Sequence, residues 1–264
     1  MKYALVTGAF GGMGQRTVAR LIKEGFCVFA LDYKIGKAAP GMIPIQADVT
    51  DAESIRAAFE TVKGITNALS AIVHFAGIYL LDSLVEIDDE RFFNAFRVNA
   101  FGAFLINKTF LPLLHAGSRI IITTSELAPL DPLPFTGIYA VTKSTLDQYA
   151  YSLCMELQLL DIAVSVIRAG AVDTGMLGVS TRALAQFCQS TSHYCCNADR
   201  FKAIVDSVEA KCVPPGRIAE KAVQILQKKH PAFVYNVNRN PLLLLMNLLP
   251  KKMQLWAIKT LLKP

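Results

Sequence analysis

From residue 2 to about residue 168, short apolar runs alternate with stretches of helical periodicity, and this alternation leaves few architectures open. Strand-like runs are "YALV" near 3, "CVFAL" near 27, "MIPIQA" near 42, "AIVHFA" near 71, "RIIITT" near 119 and "AVSVIR" near 163, with "AFVYNV" near 232 as a seventh. Helical patterns lie between them at about 13 to 25, 51 to 63, 89 to 114, 138 to 161 and 216 to 229. Strand, helix and strand in succession build a parallel sheet covered by helices on both faces. Strands buried on both faces are apolar throughout, and a chain with 53% hydrophobic and 18% charged residues can supply them. The expectation is an α/β fold, doubly wound around a seven-stranded parallel sheet, with residues 1–264 as a single domain.

Two segments fall outside that rhythm. Residues 175–212 form a long connection with mixed helical signals just past the sixth strand, where an open α/β sheet places its ligand crevice, and they read as a helical substrate lid. Residues 238–264 form an apolar and basic C-terminal tail. Its apolar part, Leu242 to Leu249, is too short to span a bilayer, which needs about 20 residues. Three fates remain open for it: packing over the crevice, joining an oligomer interface, or peripheral contact with a membrane surface through its lysines.

The stretch "TGAFGGMG" follows the first strand and opens the first helix, so backbone amides and the positive helix end face an anionic diphosphate. Its glycines count in two ways, as Gly8, Gly12 and Gly14 or as Gly8, Gly11 and Gly14. Asp32 ends the second strand, about where a carboxylate accepts hydrogen bonds from the hydroxyls of an adenosine ribose. A carboxylate there repels a 2′-phosphate, so NAD is favoured over NADP, with Lys34 and Lys37 as the opposing features. Asp48 and Val49 follow the third strand and Ala76 and Gly77 the fourth, at the carboxyl ends where ligand contacts collect.

In "YAVTK", Tyr139 and Lys143 are four residues apart on a helical pattern and share one face. An ammonium beside a phenol favours the phenolate, and the expectation is that Lys143 together with an oxidised nicotinamide draws the Tyr139 pKa below its ordinary ~10 so that the side chain can act as a base. Ser125, fourteen positions earlier at the end of the fifth strand, is placed to donate to a reacting oxygen. Asn99 is a poor residue for a helix interior and invites a reason.

Taken together, "TGAFGGMG", Asp32, Asp48 and Val49, "FAG" at 75–77, Asn99, Ser125, Tyr139, Lys143 and "RAGAVDTG" at 168–175 resemble the short-chain dehydrogenase/reductase family. The resemblance runs from residue 2 to about 176 and resumes weakly near 216. It implies a Rossmann fold and a nicotinamide-dependent oxidoreductase. By this resemblance Tyr139 is the general acid/base, Lys143 lowers its pKa and holds the nicotinamide ribose, Ser125 orients the substrate oxygen, and Asn99 holds a water that relays protons from Lys143. It also implies cofactor contacts from Gly8, Gly12, Met13, Gly14, Asp32, Asp48, Val49, Ala76, Gly77, Val172 and Thr174. The Gly8, Gly11, Gly14 spacing belongs to longer relatives with an appended substrate domain, for which this chain is too short, so Gly8, Gly12 and Gly14 are taken as the functional set. A homodimer or homotetramer, paired through the helices after the fourth and fifth strands, is implied as well.

The sequence departs from the family at three places. Phe75 stands where asparagine is usual, Ala169 where proline is usual, which predicts a looser turn, and Ser125 lies one position further from Tyr139 than usual. Thr124 and Glu126 are therefore rivals to Ser125, although a carboxylate would repel a developing alkoxide.

The crevice side carries Leu127, Leu130, Leu133, Phe135, Met176, Leu177 and Val179, which suits a bulky apolar substrate; Leu127, Phe135, Met176 and Leu177, with Ser125 and Tyr139, are the expected substrate contacts. The tail is similar to C-termini in the hydroxysteroid and retinol dehydrogenase branch. The expected reaction interconverts a secondary alcohol and ketone on a steroid, bile acid or similar lipid alcohol. The competing readings are an NADPH-dependent reductase of small ketones or quinones and a catalytically silent NAD-binding protein.

The net charge of +6 comes from scattered lysines and arginines without interleaved aromatics, so no nucleic-acid partner is expected. Six cysteines at 27, 154, 188, 195, 196 and 212 lack the spacing of a zinc ribbon or a disulfide framework. With "KYALVTG" at the start leaving no room for a signal segment, the expectation is a cytoplasmic protein with reduced thiols and no metal, peripherally membrane-associated if the tail takes its third fate.

Overall fold

A computed structural model describes residues 1–207 and 212–263, with the side chains of 176–181 and 206–207 left undescribed. Seven strands, β1 (Lys2–Thr7), β2 (Phe26–Asp32), β3 (Met42–Gln46), β4 (Leu69–His74), β5 (Leu114–Ser125), β6 (Ala163–Ala169) and β7 (Val234–Val237), pair in the order β3-β2-β1-β4-β5-β6-β7. Every pairing is parallel. The order runs one way from β1 to β3 and the other way from β4 to β7. The crevice between β1 and β4, at the carboxyl edge, is the switch point where such sheets hold ligands.

Successive side chains of each strand enter two different apolar layers. Leu5, Phe29, Ile72 and Ile120 pack beneath α2 (Ala52–Lys63) and the helices that follow β4 and β5, whereas Val6, Ala30, Val73 and Ile121 pack beneath α1 (Gly12–Lys23) and α8 (Gly216–Gln227). This double burial is why the strands read as continuous apolar runs. Two helix starts are fixed locally: Asp51 accepts the Glu53 N–H at the start of α2, and Asp88 accepts the Arg91 N–H at the start of α3 (Asp89–Phe96).

The helical pattern at 89–114 is not one helix. It comprises α3, a π-helical turn at Arg97–Phe101, α4 (Gly102–Phe110) and a short 3-10 turn, after which β5 begins at Leu114. The π turn contains Asn99, whose side chain bonds sideways to neighbouring segments, and such turns arise where a side chain competes with the helix ladder. The pattern at 138–161 is α5 (Gly137–Leu157) followed by a 3-10 turn. The 175–212 connection forms α6 (Gly175–Ser190) and α7 (Cys195–Ser207), and the tail forms α9 (Pro241–Leu248) and α10 (Lys251–Leu262), separated at Pro250. Among the described residues no helix is long and apolar enough to cross a membrane.

Candidate active site

The turn between β1 and α1 touches the ends of two other strands. Gly8 takes φ +62°, and a Cβ there would lie 2.6 Å from the backbone nitrogen of Ala76, so only glycine lets the turn approach the end of β4. A Cβ on Gly12 would lie 2.8 Å from Thr174 Cγ2, whereas one on Gly11 would meet only Gly8 O, at 3.3 Å. The close approach to a second segment thus falls on Gly12 rather than Gly11. No side chain caps α1, and Gly11, Gly12, Met13 and Gly14 line a cleft of about 970 Å³ at its positive end.

The same cleft is lined by Asp32, Asp48, Val49, Ala76, Gly77 and Thr174. Asp32 Oδ2 accepts the Phe10 N–H at 2.8 Å and Oδ1 the Lys34 N–H at 3.3 Å, which pins the carboxylate beside the glycine turn while each oxygen keeps a further lone pair. Asp48 Oδ1 accepts from the Thr50 N–H and hydroxyl at 2.8 and 2.7 Å. Val172 is buried and bridges to Val213, while Thr174 is the N-cap residue of α6. A glycine turn closed to any Cβ, an uncapped helix start for a diphosphate and a carboxylate at the end of β2 for a ribose fit a nicotinamide dinucleotide.

Beyond the cleft, Tyr139 and Lys143 occupy the first turns of α5. Lys143 Nζ stands 5.7 Å from the centre of the Tyr139 ring and donates to Thr123 O at 3.5 Å. Ser125, the last residue of β5, shares a hydrogen bond with Tyr139, and its Oγ accepts the Leu127 N–H at 3.2 Å. Its rivals are engaged elsewhere: the Thr124 hydroxyl donates to Asp147 at 3.1 Å, and Glu126 accepts the Asn240 N–H at 2.6 Å. Asn99 Nδ2 donates to Ile78 O at 2.9 Å and Thr142 Oγ1 at 3.0 Å, and its Oδ1 accepts the Ile78 N–H at 2.8 Å. Its side chain therefore clamps the segment after β4 to α5.

Burial pushes the Tyr139 phenol above its ordinary value, the neighbouring Tyr79 pushes the same way, and the Ser125 hydrogen bond only partly opposes them. Burial lowers Lys143 as well, to about 8. Among the protein's own groups Tyr139 is thus a protonated phenol at neutral pH.

The departures in sequence also resolve. Phe75 is buried in the core, and the tie between β4 and β1 passes to its backbone N–H, which donates to Thr7 O at 3.0 Å, and to Thr7 Oγ1, which accepts the Ala76 N–H at 3.3 Å. Ala169 does not loosen its turn: Ala169 O accepts the Glu126 N–H at 2.9 Å and the Gly170 N–H donates to Val237 O at 2.9 Å.

On the substrate side, Phe135 adopts φ 65° and sets its ring against Phe187, Tyr194 and Phe201 at 4.7, 5.4 and 5.5 Å. It holds the lid helices together with Leu133 in a cluster that also contains Leu184 and Leu262. Leu127 is half-buried beside Ser125. The side chains of Met176, Leu177 and Val179 lie outside the described residues.

Three features were not assigned a role from the sequence. Tyr79, between the cleft and the lid, sets its ring 4.8 Å from that of Tyr139. Arg168 on β6 makes a two-pronged ion pair with Asp147 on α5. Asp131 accepts from Lys251 and Gln254 of α10, and its N–H donates to Asn247 of α9, so the tail packs on the loop after Ser125. Only the spacing of Tyr139, Lys143 and Asp147 by four was a usable signal, since it puts all three on one face of α5.

Glu86 latches the turn between α6 and α7. Its carboxylate accepts from the Thr191 hydroxyl at 2.6 Å, the Ser192 N–H and hydroxyl at 2.8 Å each, and the His193 N–H at 3.1 Å. These bonds, that from Thr191 foremost, lower its pKa from 4.5 to about 2. A depressed acid stabilises the fold above its unfolded value and loses that contribution as pH falls through its folded value. The melting-temperature difference between wild type and Glu86→Ala is therefore expected to be constant near neutrality and to shrink as pH drops below 4.5. A pH-independent difference in thermal scans would show that the latch works by packing alone.

The profile of the family described as short chain dehydrogenase matches residues 2–184. Among curated proteins, the chain is 24% identical over 230 residues to the 3-ketodihydrosphingosine reductase of Bacteroides thetaiotaomicron, covering 87% of this chain and 85% of that one. It is 31% identical over 191 residues to estradiol 17-beta-dehydrogenase 2 of Mus musculus, covering 67% of this chain but only 50% of the relative. Among solved structures, the 3-ketoacyl-(acyl-carrier-protein) reductase from Brucella melitensis complexed with NADH superposes with a TM-score of 0.73 at 20% identity, covering 89% of this chain and 96% of that one.

Proposed function

The chain belongs to the short-chain dehydrogenase family, and from that premise we propose that it interconverts a secondary alcohol and a ketone on a bulky apolar, lipid-like substrate with NAD(H). The convergence of Ser125, Tyr139 and Lys143 beside the dinucleotide-shaped cleft carries the reading. The glycine turn, Asp32, Asp48, Val49, Ala76, Gly77, Val172 and Thr174 would hold a nicotinamide dinucleotide, which when bound would supply the hydride donor or acceptor. Ser125 Oγ orients the substrate oxygen, and Tyr139 Oη holds the proton that the oxygen gains or loses. Lys143 keeps a positive charge beside the phenol, and Asn99 fixes α5 against the segment after β4. Residues 1–264 are read as one unit, with α6–α7 as lid and α9–α10 closing the same side. Exposed Phe101 in the π turn, Phe104 on α4, and Val141 and Tyr151 on α5 support pairing of copies through those helices.

The apolar lid and relatives named for a sphingoid ketone and a steroid support the substrate class. The Asp32 carboxylate supports NAD over NADP. A panel of steroid, bile-acid, retinoid and sphingoid alcohols and ketones, assayed by cofactor absorbance with both nucleotides, tests the reading. Turnover of a lipid alcohol with NAD is expected, and Asp32→Ser is expected to move the ratio of kcat/KM for NAD over NADP at least tenfold toward NADP, since a bidentate ribose contact of ~1.5–3 kcal/mol is lost. Activity on small quinones or polyols alone, with NADPH preferred by the wild type, would replace this reading with the small-ketone reductase.

A further inference from the structure

Residues 221–264 contain eight lysines and arginines and no aspartate or glutamate, whereas the other 220 residues carry 19 basic and 21 acidic side chains. All of the chain's positive excess therefore sits in its last sixth. In that segment α9 places Leu242, Leu245 and Leu248 on one exposed stripe, three residues apart, with Leu248 80% exposed. Asn247, across the helix from the stripe, is the residue that accepts the Asp131 N–H. In α10, Gln254 is buried and donates to the Asp131 carboxylate at 2.9 Å, while Trp256, 69% exposed, stands on the opposite side with exposed Lys252, Lys259 and Lys263. Both helices thus grip Asp131 from the sides opposite these exposed residues.

A leucine stripe beside a tryptophan ringed by lysines is the composition of a helix lying in a lipid interface, with the ring at the headgroups and the lysines on anionic lipid. A second copy of the same face would set unbalanced positive charge against positive charge. We propose that the outer face of α9 and α10 docks on an anionic bilayer surface, Leu242, Leu245 and Leu248 entering the acyl boundary. Docking there leaves α9 and α10 between the lipid and the Asp131 loop, which runs from Ser125 to α5. The surface is independent of the proposed chemistry and goes beyond it.

Trp256 is the only tryptophan in the chain, so intrinsic emission reports this face alone. The full chain is mixed with vesicles of phosphatidylcholine, with or without about a third phosphatidylserine, and followed by emission and co-sedimentation. Expected are a blue shift and co-sedimentation with the anionic vesicles that weaken in high salt, and little of either with phosphatidylcholine alone. Leu245→Asn with Leu248→Asn is expected to abolish the shift, and Lys252→Gln with Lys259→Gln to lower affinity roughly twenty-five-fold, about fivefold per lysine. Circular dichroism and nucleotide binding checked in parallel establish that the variants fold. Absence of binding by the wild type, or equal binding by folded variants, overturns the proposal. So does emission already blue-shifted without lipid that reddens on dilution, which would identify a second copy on this face.

Discussion

Replacing Tyr139 by phenylalanine is expected to lower kcat about a thousandfold while leaving nucleotide affinity within about twofold, because positioned proton transfer contributes 10²- to 10⁴-fold. The substitution removes one oxygen and leaves the ring in its contact with Tyr79 at 4.8 Å, so the surrounding packing has no reason to change. Steady-state assays with the best substrate of the panel measure the first quantity, and fluorescence titration of reduced nucleotide the second. A variant with unchanged turnover would point to the silent NAD-binding protein. A variant that lost nucleotide binding as well would show that Tyr139 shapes the cleft rather than moving a proton.

Replacing Arg168 by methionine is expected to destabilise the fold by about 3 kcal/mol, within the ~3–5 kcal/mol range for breaking a buried ion pair. Arg168 Nε and Nη2 donate to the two oxygens of Asp147 at 3.0 and 2.6 Å, with side chains only 19% and 13% exposed. Removing the guanidinium leaves the carboxylate with the Thr124 hydroxyl alone among these partners. The double variant Arg168→Met with Asp147→Leu is expected to regain most of the loss, since a matched apolar pair avoids both desolvated charges. Denaturant titration of the two variants decides it, and a single-variant loss below about 0.5 kcal/mol, the size of an exposed pair, would show that the bridge is a surface contact. Asp147 lies one helical turn beyond Lys143 on the face that carries Tyr139. The same variant should therefore depress kcat, through displacement of α5 from β5 and β6.

The architecture was legible because it rests on local periodicity. Each strand run in the sequence corresponds to a strand of the parallel sheet, since burial on both faces demands apolar residues at every position. The long pattern at 89–114 misled in one respect: apolar spacing does not reveal that Asn99 will bond to Ile78 and Thr142, twenty-one and forty-three residues away, and open a π turn. The tail was legible as apolar and basic, but its docking depends on Asp131, whose partners Asn247, Lys251 and Gln254 lie more than a hundred residues later.

By itself, the sequence determined the strand–helix alternation, the glycine turn with Asp32 behind it, and the common face of Tyr139 and Lys143, all of which follow from spacings of a few residues along one element. Tertiary structure alone decided that Tyr79 meets Tyr139, that Glu86 latches the lid, and that burial raises the pKa of the Tyr139 phenol. The reason is the same in each case. Spacing reports neighbours within a helix or strand, but desolvation and hydrogen bonding at a buried atom sum over whatever the sheet order brings together, and here that order joins segments from both halves of the chain.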